Sequence, residues 1–194
     1  AALLERLQGM NGGFSTEGLR DFDDAQVMSL EALRALGADF DDKHEGVWDK
    51  RLAALGFEPG EVASIQSNTN REWLFADLGI LGAGGVSNGI YPTDAAAQAE
   101  FLLADSRSVV VFVEDEEQLD KVLTCRSRCP TLEKIVVFDM EGLSGFSDPM
   151  VLSLAEFTAL GRNHAQGNDA LWDEMTGSRT ASDLAILVYT SGTT

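Results

Sequence analysis

Short runs of apolar and β-branched residues punctuate the chain at Val62–Gln66, Val86–Tyr91, Ser108–Val113, Ile135–Phe138 and Ala185–Val188. Ala185–Val188 is continuous rather than alternating, the pattern of a strand buried on both faces, and Ser108–Val113 is strongly β-branched. Helix-length segments separate most of them: Glu72–Leu81, Ala95–Ala104 and a stretch carrying Leu119, Val122 and Leu123. Strand and helix alternating at intervals of roughly thirty residues call for βαβ crossovers. The expected fold is therefore α/β, a mostly parallel sheet with helices on both faces. Ligands of such sheets gather at the carboxyl ends of the strands. The run Ala185–Val188 leads directly into Tyr189, Thr190, Ser191, Gly192, Thr193 and Thr194, so a loop of hydroxyls and one glycine is expected at that end. Hydroxyls and backbone N–H groups together suit phosphate oxygens, although Ser/Thr/Gly clusters are also ordinary turns.

The connections carry their own signals. Asn68 or Asn70 can cap the helix at Glu72, and Trp73 reads as core. The helix Glu72–Leu81 is apolar nearly all round, which predicts burial between layers. Gly82, Gly84 and Gly85 follow a helix and precede a strand, the reverse of a dinucleotide fingerprint, so they read as a helix end with close packing. The acids Glu114, Asp115, Glu116 and Glu117 suit a helix N-terminus. Glu141–Pro149 reads as a surface excursion, Ser153 and Glu156 as a capping box, and Gly161–Asn168 as a polar loop. Further helices are expected at Val27–Leu36, Val47–Leu55 and Ala170–Met175, and Asp39–Glu45 reads as a solvated acidic stretch.

Composition narrows the partners. A formal charge of -18 over 194 residues argues against nucleic acid and anionic lipid surfaces. Cys125 and Cys129 lack further ligands nearby, with His44 and His164 isolated, so they read as free structural thiols. No apolar run approaches the ~20 residues of a membrane span, and no signal peptide is evident. The expected location is cytoplasmic, with peripheral membrane contact left open. No Walker A string, G-x-x-x-x-G-K-[ST], occurs.

The string Tyr189–Thr194 (YTSGTT) resembles the start of the signature motif of the adenylate-forming superfamily, which includes acyl-CoA synthetases, adenylation domains and luciferases. The preceding Leu55–Ala63 (LGFEPGEVA) and the turn ending in Glu72-Trp73 resemble the opening of the same fold. Gly89–Thr93 (GIYPT) is similar to the wording of long-chain fatty acyl-CoA synthetases. The resemblance implies a two-part chain: a helical segment 1–54, then 55–194 as the N-terminal part of an AMP-binding domain. It implies an ATP-dependent fatty acid–CoA ligase that uses ATP, Mg2+ and coenzyme A, with fatty acid, ATP and CoA as partners. Thr190, Ser191, Gly192, Thr193 and Thr194 would hold the ATP phosphates, and Thr190 would lie near the magnesium ion. Catalytic residues are expected elsewhere, since Ala1 is not a methionine and the motif breaks at Thr194. The chain is thus expected to be an N-terminal piece, inactive by itself and able to self-associate. An adenylating enzyme for an aryl or amino acid, or a non-catalytic acidic α/β module, are the competing readings.

Overall fold

The computed structural model describes residues 47–166 and 179–190, all within one compact unit, Val47–Thr194. The expected helices at Val27–Leu36 and Ala170–Met175, the acidic stretch Asp39–Glu45 and the residues Ser191–Thr194 lie outside the described residues. The chain runs α1 (Val47–Ala54), β1 (Val62–Gln66), α2 (Arg71–Gly82), β2 (Val86–Ile90), α3 (Ala96–Asp105), β3 (Val110–Val113) and α4 (Glu116–Cys125). It continues through β4 (Lys134–Val137), β5 (Val151–Ser153), α5 (Leu154–Ala165) and β6 (Ile186–Leu187). The six strands form one sheet in the order β5-β4-β3-β1-β2-β6, and every pairing is parallel. All carboxyl ends therefore point the same way.

Alternation along the strands sends side chains into two cores. Ala63, Ile65, Phe112 and Val136 join Leu52 of α1, Ile80 of α2 and Phe157 of α5 on one face. Val111, Val113, Ile135 and Val137 join Ala99 and Leu103 of α3 and Leu119 and Val122 of α4 on the other. Phe112 anchors the first face, with its ring 5.5 Å from Phe157 and 5.9 Å from Phe138. The buried thiols Cys125 and Cys129 are free, and desolvation pushes the Cys125 pKa up to about 12, as befits inert core residues.

Several local expectations differ from the structure. Helix α2 is buried on one side only: Ala76 and Ile80 face the sheet, while Leu74 and Leu78 are 47% and 40% exposed. At 100° per residue those two leucines fall on the side of the helix away from the sheet. Helix α5 extends to Ala165, through most of the expected loop Gly161–Asn168, because Gly161 is a packing glycine and not a breaker. The excursion after β4 returns as β5, paired with β4 through Ile135↔Val151 and Val137↔Ser153. Three residues hold too little pattern to announce a strand. The run Ala185–Val188 is not buried on both faces. Only Ile186–Leu187 is strand, with Ile186 50% and Val188 77% exposed, because β6 lies at the sheet edge with β2 on one side.

The glycine cluster behaves as packing predicts. Gly84 takes φ +72 at the end of α2, and a Cβ on Gly85 would lie 2.5 Å from carbons of the Phe57 ring. The capping box also forms: the Ser153 hydroxyl accepts from the Glu156 N–H at 3.2 Å, and Glu156 Oε2 accepts from the Ser153 N–H at 2.8 Å. Ser153→Ala is expected to cost about 1 kcal/mol in urea unfolding, with an unchanged slope. The Ser153 N–H and then its hydroxyl hold the Glu156 carboxyl below its usual value. A depressed carboxyl stabilises the fold above its unfolded pKa, and the benefit is lost as pH falls through the folded value, so the gap between wild type and variant narrows in acid.

Candidate functional site

From β1 the chain crosses to β2 on one side, and α3 then carries it back to β3 on the other. The carboxyl ends of β1 and β3 thus flank a point where the winding reverses, the place where an open parallel sheet forms a crevice. A cleft of about 350 Å³ opens there, lined by Asn70, Glu72, Glu114, Asp115, Phe138 and Asp139.

The crevice is held by the chain's own groups. The Glu114 carboxylate accepts from the Asn68 N–H at 2.7 Å, Asn68 Nδ2 at 2.9 Å, Ser67 Oγ at 3.3 Å and Asn70 Nδ2 at 3.4 Å. One side chain after β3 therefore fixes the whole β1–α2 loop. Asn70 also caps α2, its Oδ1 accepting from the Trp73 N–H at 2.8 Å. Of the four acids expected at the start of α4, Asp115 is the cap, accepting from the Gln118 N–H at 3.1 Å, and Glu116 and Glu117 occupy the first turn. Glu114 turns back instead. Its role was missed in the sequence because its partners lie 44–47 positions away. Lined by four carboxylates, the crevice repels rather than recruits phosphate, and among the described residues no group of three His, Cys, Asp or Glu is set to hold a metal.

The hydroxyl-rich string follows β6, the strand at the edge of the sheet beside β2. Strand β6 pairs with β2 through Ser87↔Ile186 and Asn88↔Leu187. Tyr189, on the same side as Leu187, reaches α3: its hydroxyl donates to Asp105 Oδ2 at 2.7 Å and its ring meets Phe101 edge-on, with centroids 6.2 Å apart. Burial, and then the neighbouring carboxylate, push the Tyr189 pKa up to about 12, so the phenol stays a donor through neutral pH. Thr190 follows at the carboxyl end of β6 and is exposed. Of the residues assigned to phosphate binding, Thr190 is thus described, and Ser191, Gly192, Thr193 and Thr194 lie outside the described residues. Asp105 and Phe101 carry no sequence signal for this contact, since nothing local ties them to Tyr189.

The family model for AMP-binding enzymes matches residues 50–194, most of the chain. The chain belongs to the AMP-binding enzyme family. This AMP-binding segment is 30% identical over 145 residues to the long-chain-fatty-acid–CoA ligase ACSBG2 of Xenopus laevis, covering 75% of this chain and 19% of that protein. It is 28% identical over 145 residues to the human long-chain-fatty-acid–CoA ligase ACSBG1, with the same coverage of each. Among solved structures it is similar to the anthranilate CoA ligase AuaEII in complex with anthranoyl-AMP. That likeness has a TM-score of 0.59 and 25% identity, and covers 78% of this chain and 26% of the ligase. The coronafacic acid ligase of Pectobacterium brasiliense shares the fold at a TM-score of 0.50 and 19% identity, over 58% of this chain and 23% of that ligase. The AMP-binding segment spans about a fifth of the length of its fatty-acid ligase relatives.

Proposed function

We propose that the complete gene product carrying this chain is an ATP-dependent long-chain fatty acid–CoA ligase. The observation that carries the reading is the match of residues 50–194 to AMP-binding enzymes, with fatty acid–CoA ligases at 28–30% identity among the relatives. In the proposed first step a fatty carboxylate oxygen attacks the α-phosphorus of ATP. The bond from that phosphorus to the bridging oxygen breaks, and pyrophosphate leaves. In the second, the thiol of coenzyme A attacks the acyl carbonyl of the mixed anhydride, loses its proton and displaces AMP.

The work assigned to this chain is holding the leaving phosphates. The hydroxyls of Thr190, Ser191, Thr193 and Thr194 and the backbone around Gly192 would donate to phosphate oxygens as negative charge builds on pyrophosphate. A hard hydroxyl oxygen suits Mg2+, and the exposed Thr190 is the residue assigned to it. Magnesium would supply charge neutralisation on the phosphates. A cytoplasmic protein that touches membranes peripherally, where long-chain acids partition, fits the same reading.

The likeness to an anthranilate CoA ligase favours a second reading, in which the same adenylation serves an aryl acid. Acid-dependent ATP–pyrophosphate exchange by the complete gene product, run with a series of fatty acids against anthranilate and benzoate, separates the two. Exchange is expected with the fatty acids; a preference for the aryl acids would overturn the leading assignment. The 194-residue chain by itself is expected to show no exchange with any acid. Measurable turnover by it would contradict that expectation.

A further inference from the structure

Beneath α3 the sheet is not purely apolar. Ser64, Gln66 and Asn88 are each 0% exposed, and all three point to the face that carries Ile90, Val111 and Val113, as the registers Ser64↔Asn88, Gln66↔Ile90 and Gln66↔Val113 require. A hydrogen-bonded chain runs across this face. Asn88 Nδ2 donates to Ser64 Oγ at 2.8 Å, Ser64 meets Ser108 at 2.6 Å, Ser108 meets Ser106 at 2.8 Å, and Ser106 Oγ donates to the Leu103 carbonyl at 3.4 Å.

The chain of bonds is complete toward Ser106 and open toward Gln66. Gln66 Oε1, Gln66 Nε2 and Asn88 Oδ1 are buried without a hydrogen-bond partner. These are two acceptors and a donor on adjoining strands, two residues apart in register and so diagonal neighbours on one face. Buried carboxamides left unpaired are strongly disfavoured, and natural interiors satisfy such groups with protein or ordered water. The surrounding apolar side chains offer no alternative donor or acceptor. All three residues are 0% exposed, so a carboxylate or phosphate would have to shed its hydration here, and two carboxamides give it no compensating charge. A water molecule has the needed valence: it can receive from Gln66 Nε2 and donate to Asn88 Oδ1, with a companion serving Gln66 Oε1.

We propose that ordered water bound between Gln66 and Asn88 is an integral part of this fold, closing the polar chain that runs under α3. The site takes water as its ligand and holds it through two carboxamides; it is independent of the adenylation reading.

Two measurements test it. A crystal structure of the chain at high resolution is expected to show a well-ordered water within hydrogen-bonding distance of both Gln66 and Asn88. An empty site, or the two carboxamides bonded directly to each other, would overturn the proposal. Gln66→Met keeps the length of the side chain and removes its donor and acceptors. With water bridging, the variant loses those bonds and its melting midpoint falls by about 5 °C. Without it, the change trades an unpaired buried carboxamide for a hydrophobic isostere, and the midpoint stays level or rises. The crystallographic readout stands even if the variant folds poorly.

Discussion

Gly161→Ala is expected to lower the stability of the Val47–Thr194 unit by about 3 kcal/mol and its melting midpoint by about 10 °C. Gly161 sits in the middle of α5, where glycine normally weakens a helix, so alanine there should help on propensity alone. Packing reverses the sign. A Cβ at this position would stand 2.9 Å from both the backbone nitrogen and the Cα of Arg51, and closer still to the Arg51 Cγ. A flexible side chain could move aside, but the backbone of α1 can give way only by shifting the helix. That shift would disturb Leu52, 1% exposed, and the guanidinium of Arg51, 5.9 Å from the centre of the buried Phe157 ring. Asn163→Ala, exposed on the same helix, should change stability by less than about 0.5 kcal/mol. Equal effects of the two in thermal unfolding would show that the close approach of α1 and α5 is not what Gly161 provides.

Thr190→Val in the complete gene product is expected to lower kcat/KM for ATP about 10²-fold, the scale of losing one preorganised donor from a charge-stabilising site. Valine keeps the shape and removes the hydroxyl. Tyr189→Phe acts one step further out. It removes the hydrogen bond to Asp105 while keeping the ring against Phe101, so the base of the loop keeps its packing and loses its tether. Its effect should be about tenfold or less and should fall mainly on KM, because the Tyr189 hydroxyl is engaged by Asp105 and would act on the loop only through its placement. Initial-rate kinetics of fatty-acid-dependent exchange check both. An unchanged Thr190→Val enzyme would remove the Thr190 hydroxyl from phosphate binding, whereas an unchanged Tyr189→Phe enzyme would remove only the tether.

The middle of the sheet was legible because β3 and β4 are buried on both faces and so wrote short apolar runs, such as Val110–Val113. The caps at Asn70 and Ser153 were legible because their partners lie three residues on. What escaped was decided at a distance. Glu114 looks like one more acid at a helix start until β1 and β3 lie side by side and its carboxylate meets Asn68. Gly161 looks like a loop residue until α1 lies against it. The exposure of Ile186 follows from which strand β6 pairs with, and four apolar residues read identically at the centre or the edge of a sheet. At the candidate site the motif announced its own hydroxyls but not Asp105, whose contact with Tyr189 spans 84 positions.

The uniform polarity of the strands divides the unit into two rims with different duties. Left-handed backbone at Gly56, Gly60, Gly84 and Arg107 falls in the connections that enter β1, β2 and β3, at their amino ends. The opposite rim, where Ser67–Asn70 and Thr190 emerge, holds left-handed backbone too, at Gly142 and Gly145 in the connection that leaves β4. Glycine adopts that conformation without steric cost, so the one described position where it carries a side-chain penalty is Arg107, at the entry to β3. That penalty falls on the rim away from Thr190.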